Sequence, residues 1–336
     1  MVKSIWIRTV SLLCILGIGL SFCACSGTRR SASMSLSAFG TILYFTLYGP
    51  DSQTIEKLGQ DLRKECERLE TVFSFELDDS DLSRLNTSEG PVEVPSEMID
   101  VLKIALDVGQ KSGGELDVTI GSLIELWHIE TNPGVVPDEK DIQTALAHHG
   151  MDRIVIDEAQ RTVSRTDSDM LIHLGAVAKG YLGYRLRQIV LDHGCSGVLN
   201  LGGNLQLCGS KDGANAKWRV GIADPFSPED VFAELTIGDA AVVTSGAYAR
   251  FFELNGVRYH HILDPETGYP SESDIASATV LGPDGAVCDA LSTACFILGK
   301  DEAINLIASY PAYSYLLILQ DGSVEATDGM EVFIHE

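Results

Sequence analysis

The segment 171–204, LIHLGAVAKGYLGYRLRQIVLDHGCSGVLNLGGN, constrains the fold more than any other part of the chain. Its apolar run Leu171–Leu174 is long enough for a buried strand but too short for a helix. After a glycine-containing loop, apolar residues at helical spacing predict an amphipathic helix that begins near Ala178 and stops before Gly194. The segment therefore predicts a strand, a glycine loop, a helix and a second strand, with the polar residues at the turns.

Lys179 lies at the predicted N-terminal end of that helix. A lysine there adds its charge to free backbone N–H groups and to the positive end of the helix dipole. The nearby Gly175 and Gly180 lack a Cβ, so a ligand can approach the backbone closely. The pattern is typical of an anion site, most naturally for phosphate, although a loop-to-helix joint with a solvated lysine has the same sequence. It is not a P-loop, because no G-x-x-x-x-G-K-[ST] occurs.

The net charge limits the partners. The 336 residues include 48 acidic and 24 basic side chains, which give a formal net charge of −24. Such a chain repels nucleic acid and anionic membrane surfaces, so neither is expected as a bulk partner. A nucleotide ligand stays compatible with this charge, because a pocket can be basic within an acidic protein.

Residues 1–25 are predicted to be a targeting segment outside the folded domain. Lys3 and Arg8 precede the apolar run Val10–Phe22, and the segment ends in Cys-Ala-Cys. This ending resembles a bacterial lipobox and predicts cleavage before Cys25, a lipid on that cysteine, and an extracytoplasmic protein anchored to the membrane. Ordinary secretion with cleavage nearby is the alternative.

Two further regions follow the targeting segment. Residues 26–35 are rich in serine and are predicted to be a tether, and residues 36–336 are predicted to form the folded domain. The domain has an odd number of cysteines and no C-x-x-C pair, so neither a disulfide framework nor a zinc site is expected.

Local patterns within the domain indicate an α+β fold with mixed or antiparallel sheets flanked by helices. Helical spacing dominates early, strand and helix units alternate in the middle, and strands come late. The segment 73–86 is expected to be polar and turn-like. The other predicted elements are a strand at Ile42–Tyr48, helices at Ser96–Gly109 and Asp138–His149 with Ser96 and Asp138 as N-caps, and a hairpin of Arg153–Asp157 with Thr162–Arg165.

A second polar region spans residues 243–269. Asn255-Gly256 between apolar runs is a strong signal for a hairpin turn. Arg250, Arg258 and the pair His260 and His261 lie around this turn in a chain with few basic residues. They are compatible with a lining for a polar ligand and equally with a surface hairpin that carries scattered charges.

A third region, residues 288–299, places a carboxylate and a hydroxyl on one helical face. Asp289 and Thr293 are separated by four residues, so both oxygens point the same way. Such a pair suits Mg²⁺, which takes few protein ligands and completes its shell with water and substrate phosphate. In the alternative interpretation, Asp289 is an N-cap and Thr293 packs sideways.

Together these regions resemble the bacterial FAD:protein FMN transferases, the ApbE-type flavin transferases, over residues 36–300. Each motif alone is weak, but seven in the family's order are specific. They are FGT at 39–41, SDLSRLN at 80–86, GGELDVTIGSLIELW at 113–127, LGAVAKGY at 174–181, LNLGGN at 199–204, the long TSG-to-TGYP block at 244–270, and DALSTACFILG at 289–299.

The resemblance implies a single domain of this type with a cleft for FAD as substrate. It implies Mg²⁺ held by Asp289, Thr293 and the backbone carbonyl of Ala176, with Lys179 at the phosphates. Asp289 would thus count among the catalytic residues. On chemical grounds, His261 is the candidate for the base that takes the hydroxyl proton. The other positions implied for flavin binding are Phe39, Glu76, Asp117, Thr119, His261 and Ile262.

The implied reaction releases AMP from FAD and leaves FMN esterified to a threonine or serine of a target protein. Flavoprotein subunits of membrane or extracytoplasmic electron transport are the implied acceptors. Two alternatives stay open, namely an Mg²⁺-dependent FAD pyrophosphatase and a flavin-binding lipoprotein without chemistry. Three positions depart from the family pattern: Phe39 replaces a methionine, His173 a common aspartate, and Glu76 an aromatic residue near the flavin.

Overall fold

The computed structural model describes residues 29–129, 133–213 and 215–335. The predicted targeting segment, with Cys25, lies outside the described residues. Within those ranges, no helix is both long enough and apolar enough to cross a membrane.

Helices and antiparallel strands alternate along the chain, which confirms the α+β class. The helices are α1 (Ser52–Phe73), α2 (Asp81–Thr87), α3 (Ser96–Lys111), α4 (Gly121–Trp127), α5 (Glu139–Leu146), α6 (Ala178–Asp192), α7 (Gly285–Leu298) and α8 (Lys300–Ala308). The strands are β1 (Arg30–Ala38), β2 (Thr41–Gly49), β3 (Val92–Glu93), β4 (Ile154–Asp157), β5 (Thr162–Arg165), β6 (Ser196–Asn200), β7 (Asn204–Cys208), β8 (Trp218–Ala223), β9 (Val231–Ile237), β10 (Ala241–Gly246), β11 (Phe251–Leu254), β12 (Val257–His260), β13 (Ile275–Gly282), β14 (Ser314–Leu319), β15 (Val324–Ala326) and β16 (Val332–Ile334).

An eight-stranded antiparallel sheet in the order β1-β2-β6-β7-β10-β13-β14-β15 forms the centre. Successive side chains of its strands point to opposite faces. Val243 therefore joins the helical core, while its neighbour Val242 packs against the small sheet β16-β9-β8 on the other face. Because both faces are covered, every residue of β13 is buried.

Helices α6 and α7 cross at two glycines on the helical face of the sheet. A Cβ on Gly180 would lie 2.0 Å from the Gly285 carbonyl oxygen, and a Cβ on Gly285 would lie 2.4 Å from the Gly180 oxygen. Only glycine permits this approach of backbone to backbone. The crossing brings the first turn of α6 against the first turns of α7.

A separate apolar cluster positions the hairpin β11–β12 against α4 and α5. The Tyr259 ring stacks on Phe252 at 5.1 Å and lies 5.7 Å from Trp127. Trp127 also donates a hydrogen bond from Nε1 to the Gly268 oxygen at 2.7 Å. The hairpin and the turn that follows it are thereby fixed to the helices.

Several predicted elements are correct. The Asn255-Gly256 turn joins β11 to β12, with Leu254 paired to Val257. The hairpin of residues 153–165 forms as β4 and β5. Helix α6 begins at Ala178 as expected.

The prediction of a tether at residues 26–35 is wrong for its second half, because β1 begins at Arg30 and pairs with β2. Serine alternates with other residues at every second position in residues 31–37, so β1 presents Ala32 and Leu36 to the core. The serines indicated a linker by composition, but their spacing is that of a strand.

Other boundaries also differ from the predictions. Ser96 is the first residue of α3 and caps nothing. Residues 171–174 make one parallel bridge, at Leu171, instead of a strand. The segment expected to be turn-like contains α2, whose Ser80 N-cap accepts a hydrogen bond from the Ser83 N–H.

Helix α5 also ends earlier than predicted, at Leu146, although Asp138 does precede its first turn. His148 Nδ1 hydrogen-bonds Asp167 and His149 Nδ1 hydrogen-bonds Asp117, each at 3.0 Å. These tertiary contacts replace the last helical turn that the local pattern predicted. The Asp138 side chain makes no capping hydrogen bond.

The glycine crossing leads to a stability prediction. Gly180→Ala should lower the free energy of unfolding by about 1–3 kcal/mol, because the new methyl group overlaps backbone atoms that cannot move independently. Chemical denaturation would measure the loss. Gly90→Ala is the matched control, since a Cβ there meets nothing within 4 Å. Equal stability of the two variants would contradict the prediction.

Candidate active site

The loop before α6 is organised around the backbone of Gly175. Lys179 Nζ donates a hydrogen bond to the Gly175 oxygen at 2.9 Å, and the Gly175 N–H donates one to His173 Nδ1 at 3.2 Å. The ammonium group thus turns back toward the loop at the N-terminus of α6. Ala176, whose carbonyl was predicted as a metal ligand, is the next residue and is partly buried.

Asp289 lies in the second turn of α7 and is only 4% exposed. Its Oδ2 accepts a hydrogen bond from the Gly180 N–H at 2.9 Å. Burial raises the pKa of this carboxyl, while the positive charges of Lys179 and Arg250 act in the opposite direction. A buried carboxylate needs nearby positive charge, which Lys179 and Arg250 provide here.

The interpretation of Asp289 as an N-cap is wrong. The N-cap of α7 is Asp284, whose Oδ1 accepts hydrogen bonds from the Ala286 and Val287 N–H groups. Asp289 therefore does not stabilise the helix terminus, and its carboxylate is directed to α6 instead.

Thr293 follows one turn later in a cluster of hydroxyl groups. Its Oγ1 lies 3.3 Å from Ser245 Oγ, which is 2.9 Å from Ser292 Oγ. Carboxylate, hydroxyl and carbonyl oxygens are the hard donors that Mg²⁺ prefers. The donor set of Asp289, Thr293 and the Ala176 carbonyl therefore fits a magnesium ion.

His261 directly follows β12 and is partly buried. Its Nδ1 lies 3.3 Å from the Arg250 oxygen, which also accepts the His261 N–H at 3.2 Å. Because a carbonyl can only accept, Nδ1 carries the proton and Nε2 keeps its lone pair. Burial, followed by the charges of Arg250 and Lys179, lowers the pKa of His261 to about 3. The ring is therefore neutral at pH 7.

Lys179 and Arg250 influence the other titratable groups of the site electrostatically. The charges of Lys179 and Arg250 affect the pKa values of His173, His261 and Asp289. These five residues come from the loop before α6 and its first turn, from the positions on either side of the hairpin β11–β12, and from α7. The structure thus brings together the three regions that the sequence singled out separately. The sequence indicates Arg250 only as one of several basic residues near the hairpin.

Asp117 and Thr119 lie beside this group on a segment joined to it through the backbone, since the His173 N–H donates to the Val118 oxygen at 2.7 Å. Asp117 Oδ1 accepts from the Thr119 N–H and hydroxyl at 2.7 and 2.5 Å, and Oδ2 faces His149 Nδ1. Thr119 is fully buried. Both side chains therefore hold the loop in this conformation, and their contact with a flavin stays a prediction.

The remaining predicted positions lie on the loops. Phe39 has a φ of 54° at the tip of the β1–β2 hairpin, and its N–H donates to Glu70 Oε1 at 2.7 Å. Glu76 is exposed just beyond α1, whereas Ile262 is buried beside His261. Flavin binding by these three residues stays a prediction.

A second group of possible metal ligands, His148, Asp167 and Asp169, has its nearest ligand atoms within 4.8 Å of one another. Arg153 Nη1, however, lies 2.6 Å from Asp167 Oδ2. An arginine at this distance occupies the carboxylate that a metal would need. We therefore regard this group as an ion-pair cluster that stabilises the loop after α5.

Comparison with known proteins agrees with the sequence pattern. Residues 39–317 match the ApbE family. The chain is 34% identical over 337 residues to the FAD:protein FMN transferase of Treponema pallidum, covering 95% of this chain and 92% of that protein. It is 29% identical over 330 residues to the FAD:protein FMN transferase of Haemophilus influenzae, covering 94% of each.

Solved structures show the same similarity. The ApbE protein of Thermotoga maritima superposes with a TM-score of 0.80 at 32% identity, covering 89% of this chain and 97% of that one. The flavin transferase ApbE of Vibrio cholerae superposes with a TM-score of 0.77 at 26% identity, covering 88% and 97%.

The low pKa values of His173 and His261 predict how the stability of the protein depends on pH. Unfolded histidine has a pKa near 6.5, whereas the pKa values of His173 and His261 are about 4 and about 3 in the folded protein. Between these values the unfolded chain binds protons that the folded protein excludes, so the free energy of unfolding should fall as the pH drops below about 6.5. His261→Asn should make this fall shallower in denaturation curves measured from pH 7 to 4.5. Identical slopes for both proteins would contradict the prediction.

Proposed function

This chain belongs to the ApbE family, and from that premise we propose that it transfers FMN from FAD to a hydroxyl group of a target protein and releases AMP. The observation that carries the proposal is the convergence of Lys179, Arg250 and Asp289 on one site. Two cations suit a pyrophosphate, and a buried carboxylate beside them suits a metal that would bind the same phosphates.

We infer that Asp289, Thr293 and the Ala176 carbonyl hold Mg²⁺. When bound, the ion would neutralise charge on the pyrophosphate. The support is the donor set itself, together with the Gly180 N–H that orients Asp289 Oδ2 at 2.9 Å. The backbone crossing of α6 and α7 makes this orientation rigid.

The protein groups then act on the two reacting oxygens. Lys179 and Arg250 bind the pyrophosphate and stabilise the charge that develops on the departing AMP. His261 Nε2 accepts the proton of the acceptor hydroxyl as its oxygen bonds to the FMN phosphorus and the bond from phosphorus to the AMP oxygen breaks. The bound anion offsets the two cations, so it should raise the low pKa of His261 and strengthen the base.

A threonine or serine side chain of an extracytoplasmic or membrane flavoprotein subunit is the acceptor we propose. One observation favours a second function, hydrolysis of FAD to FMN and AMP. Glu76 is exposed and charged at the position where an aromatic side chain would cover the flavin. A less covered flavin site leaves water a route to the phosphorus, and water would replace the acceptor hydroxyl.

Transfer and hydrolysis can be separated with the full-length protein in detergent. FAD, Mg²⁺ and an acceptor domain with a threonine-containing flavinylation motif should give a fluorescent acceptor band and stoichiometric AMP. Asp289→Ala or EDTA should reduce both products by at least about 100-fold, because each would remove the metal that neutralises charge on the pyrophosphate. AMP without a labelled acceptor would favour the hydrolase, and neither product would favour a flavin carrier.

The same assay tests the base with one variant and uses a second variant as a control. His261→Gln should slow transfer by about 100-fold or more while FAD still binds, because the variant lacks the base. Near-normal transfer would exclude that role. Asp301→Ala removes a carboxylate that is 87% exposed on α8 and should leave both products unchanged.

We also infer that Cys25 carries a lipid that anchors the protein outside the cytoplasm. Arg30, where β1 begins, is only five residues after Cys25, which limits their separation to about 18 Å. The folded domain would thus stay close to the membrane surface, within reach of the membrane-bound acceptors that we propose.

Fractionation of cells tests the anchor. Wild-type protein should be recovered with the membrane and enter the detergent phase, whereas Cys25→Ser should lose the lipid and be recovered as an uncleaved precursor. Intact mass of the N-terminal peptide would identify the diacylglyceryl group. A soluble wild-type protein cleaved elsewhere would favour ordinary secretion.

A further inference from the structure

We propose that His173 is a second imidazole of the active site and that its Nε2–H donates a hydrogen bond to the pyrophosphate of bound FAD. The family resemblance implies no role for His173, which stands where an aspartate is common. The inference rests on the proposed function, since FAD is the ligand.

The hydrogen bonds of the loop determine which nitrogen of His173 carries the proton. Nδ1 lies 3.2 Å from the Gly175 backbone nitrogen, which can only donate. In the neutral ring the proton is therefore on Nε2. Burial, together with the charges of Lys179 and Arg250, lowers the pKa of His173 to about 4, so the neutral ring predominates at pH 7.

Packing fixes the plane of this ring. Phe75 lies edge-to-face against it, with ring centroids 4.9 Å apart. On another side, a Cβ at Gly175 would lie 2.5 Å from His173 Cε1, so the ring occupies the space above that glycine. The backbone N–H of His173 also donates to the Val118 carbonyl oxygen at 2.7 Å, which holds the main chain of this residue in place. The imidazole is therefore preorganised instead of freely rotating.

The neighbouring charges indicate what the ring faces. Lys179 donates to the oxygen of Gly175, the residue whose N–H binds His173. Arg250 also lies close enough to affect the His173 pKa. An anion held by these two cations would therefore lie beside the imidazole. A neutral N–H donor suits such an anion, because it adds a hydrogen bond without adding a third positive charge.

His173 and His261 are thereby assigned opposite tautomers under the same two cations. His261 has its proton on Nδ1, toward the Arg250 carbonyl, and keeps a lone pair on Nε2. His173 has its lone pair on Nδ1, toward the Gly175 N–H, and keeps a proton on Nε2. One ring is arranged to accept a proton and the other to donate a hydrogen bond.

Two substitutions separate the donor role from a purely structural role. His173→Asn retains an acceptor near the position of Nδ1, so Gly175 keeps its partner, but it has no donor at the position of Nε2. His173→Gln places an amide N–H near Nε2 instead. If the donor matters, Asn should weaken FAD binding by about 10- to 100-fold at an unchanged melting temperature, and Gln should restore most of the affinity.

The measurement is a calorimetric titration of the full-length protein in detergent with FAD, ADP and riboflavin as separate probes. ADP contains the pyrophosphate without the flavin, and riboflavin contains the flavin without phosphate. In His173→Asn, FAD and ADP should weaken by the same factor and riboflavin should bind as before. A loss of riboflavin affinity equal to that of FAD would overturn the inference.

The remaining outcomes are equally distinct. Unchanged FAD and ADP affinity in His173→Asn would overturn this inference alone. Wild-type protein that binds neither FAD nor ADP would overturn the proposed function and this inference with it. If His173→Asn does not fold, His173→Gln is compared with His173→Leu, because of these two variants only Gln supplies a donor. Tighter binding of FAD and ADP by the Gln variant than by the Leu variant would support the inference. Equal binding by the two variants would overturn it.

Discussion

The hydrogen bond from the Gly180 N–H to Asp289 Oδ2 is the contact on which the site depends. It requires α6 and α7 to approach until their backbones touch, which only Gly180 and Gly285 permit. Once they do, the N-terminus of α6 faces a buried carboxylate, and Lys179 is brought close to it. A buried carboxylate is costly unless cations or donors surround it, so the crossing also determines where positive charge must lie.

Lys179 and Arg250 then act on both histidines of the site. Burial, together with the charges of both cations, keeps the two rings neutral. Neutral imidazoles have distinct tautomers, and here the backbone groups of Gly175 and Arg250 select them. The two rings are thus kept neutral by the same causes, and one local hydrogen bond at each ring selects a different tautomer.

Local patterns in the sequence were reliable where the local chain decides the structure. Asn255-Gly256 predicted its hairpin, because that turn needs residues that tolerate positive φ, and φ is 54° and 80° there. The start of α6 at Ala178 followed from apolar spacing. The predictions failed where distant contacts decided. Helix α5 ends early because His148 and His149 bind carboxylates elsewhere in the chain. Residues 30–35 are a different case, since their alternating spacing already indicates the strand that pairs with β2.

The sequence by itself determined the fold class, the family and the residues that could form a phosphate and metal site, since these follow from motifs of fixed order and spacing. The tertiary structure alone decided that the charges of Lys179 and Arg250 act on both His173 and Asp289. It also decided that the Asp117 and Thr119 side chains are engaged within the protein. The physical reason is that burial, charge proximity and tautomer depend on groups far apart in the chain. Lys179 and Asp289, for example, are 110 residues apart, and no local pattern records their proximity.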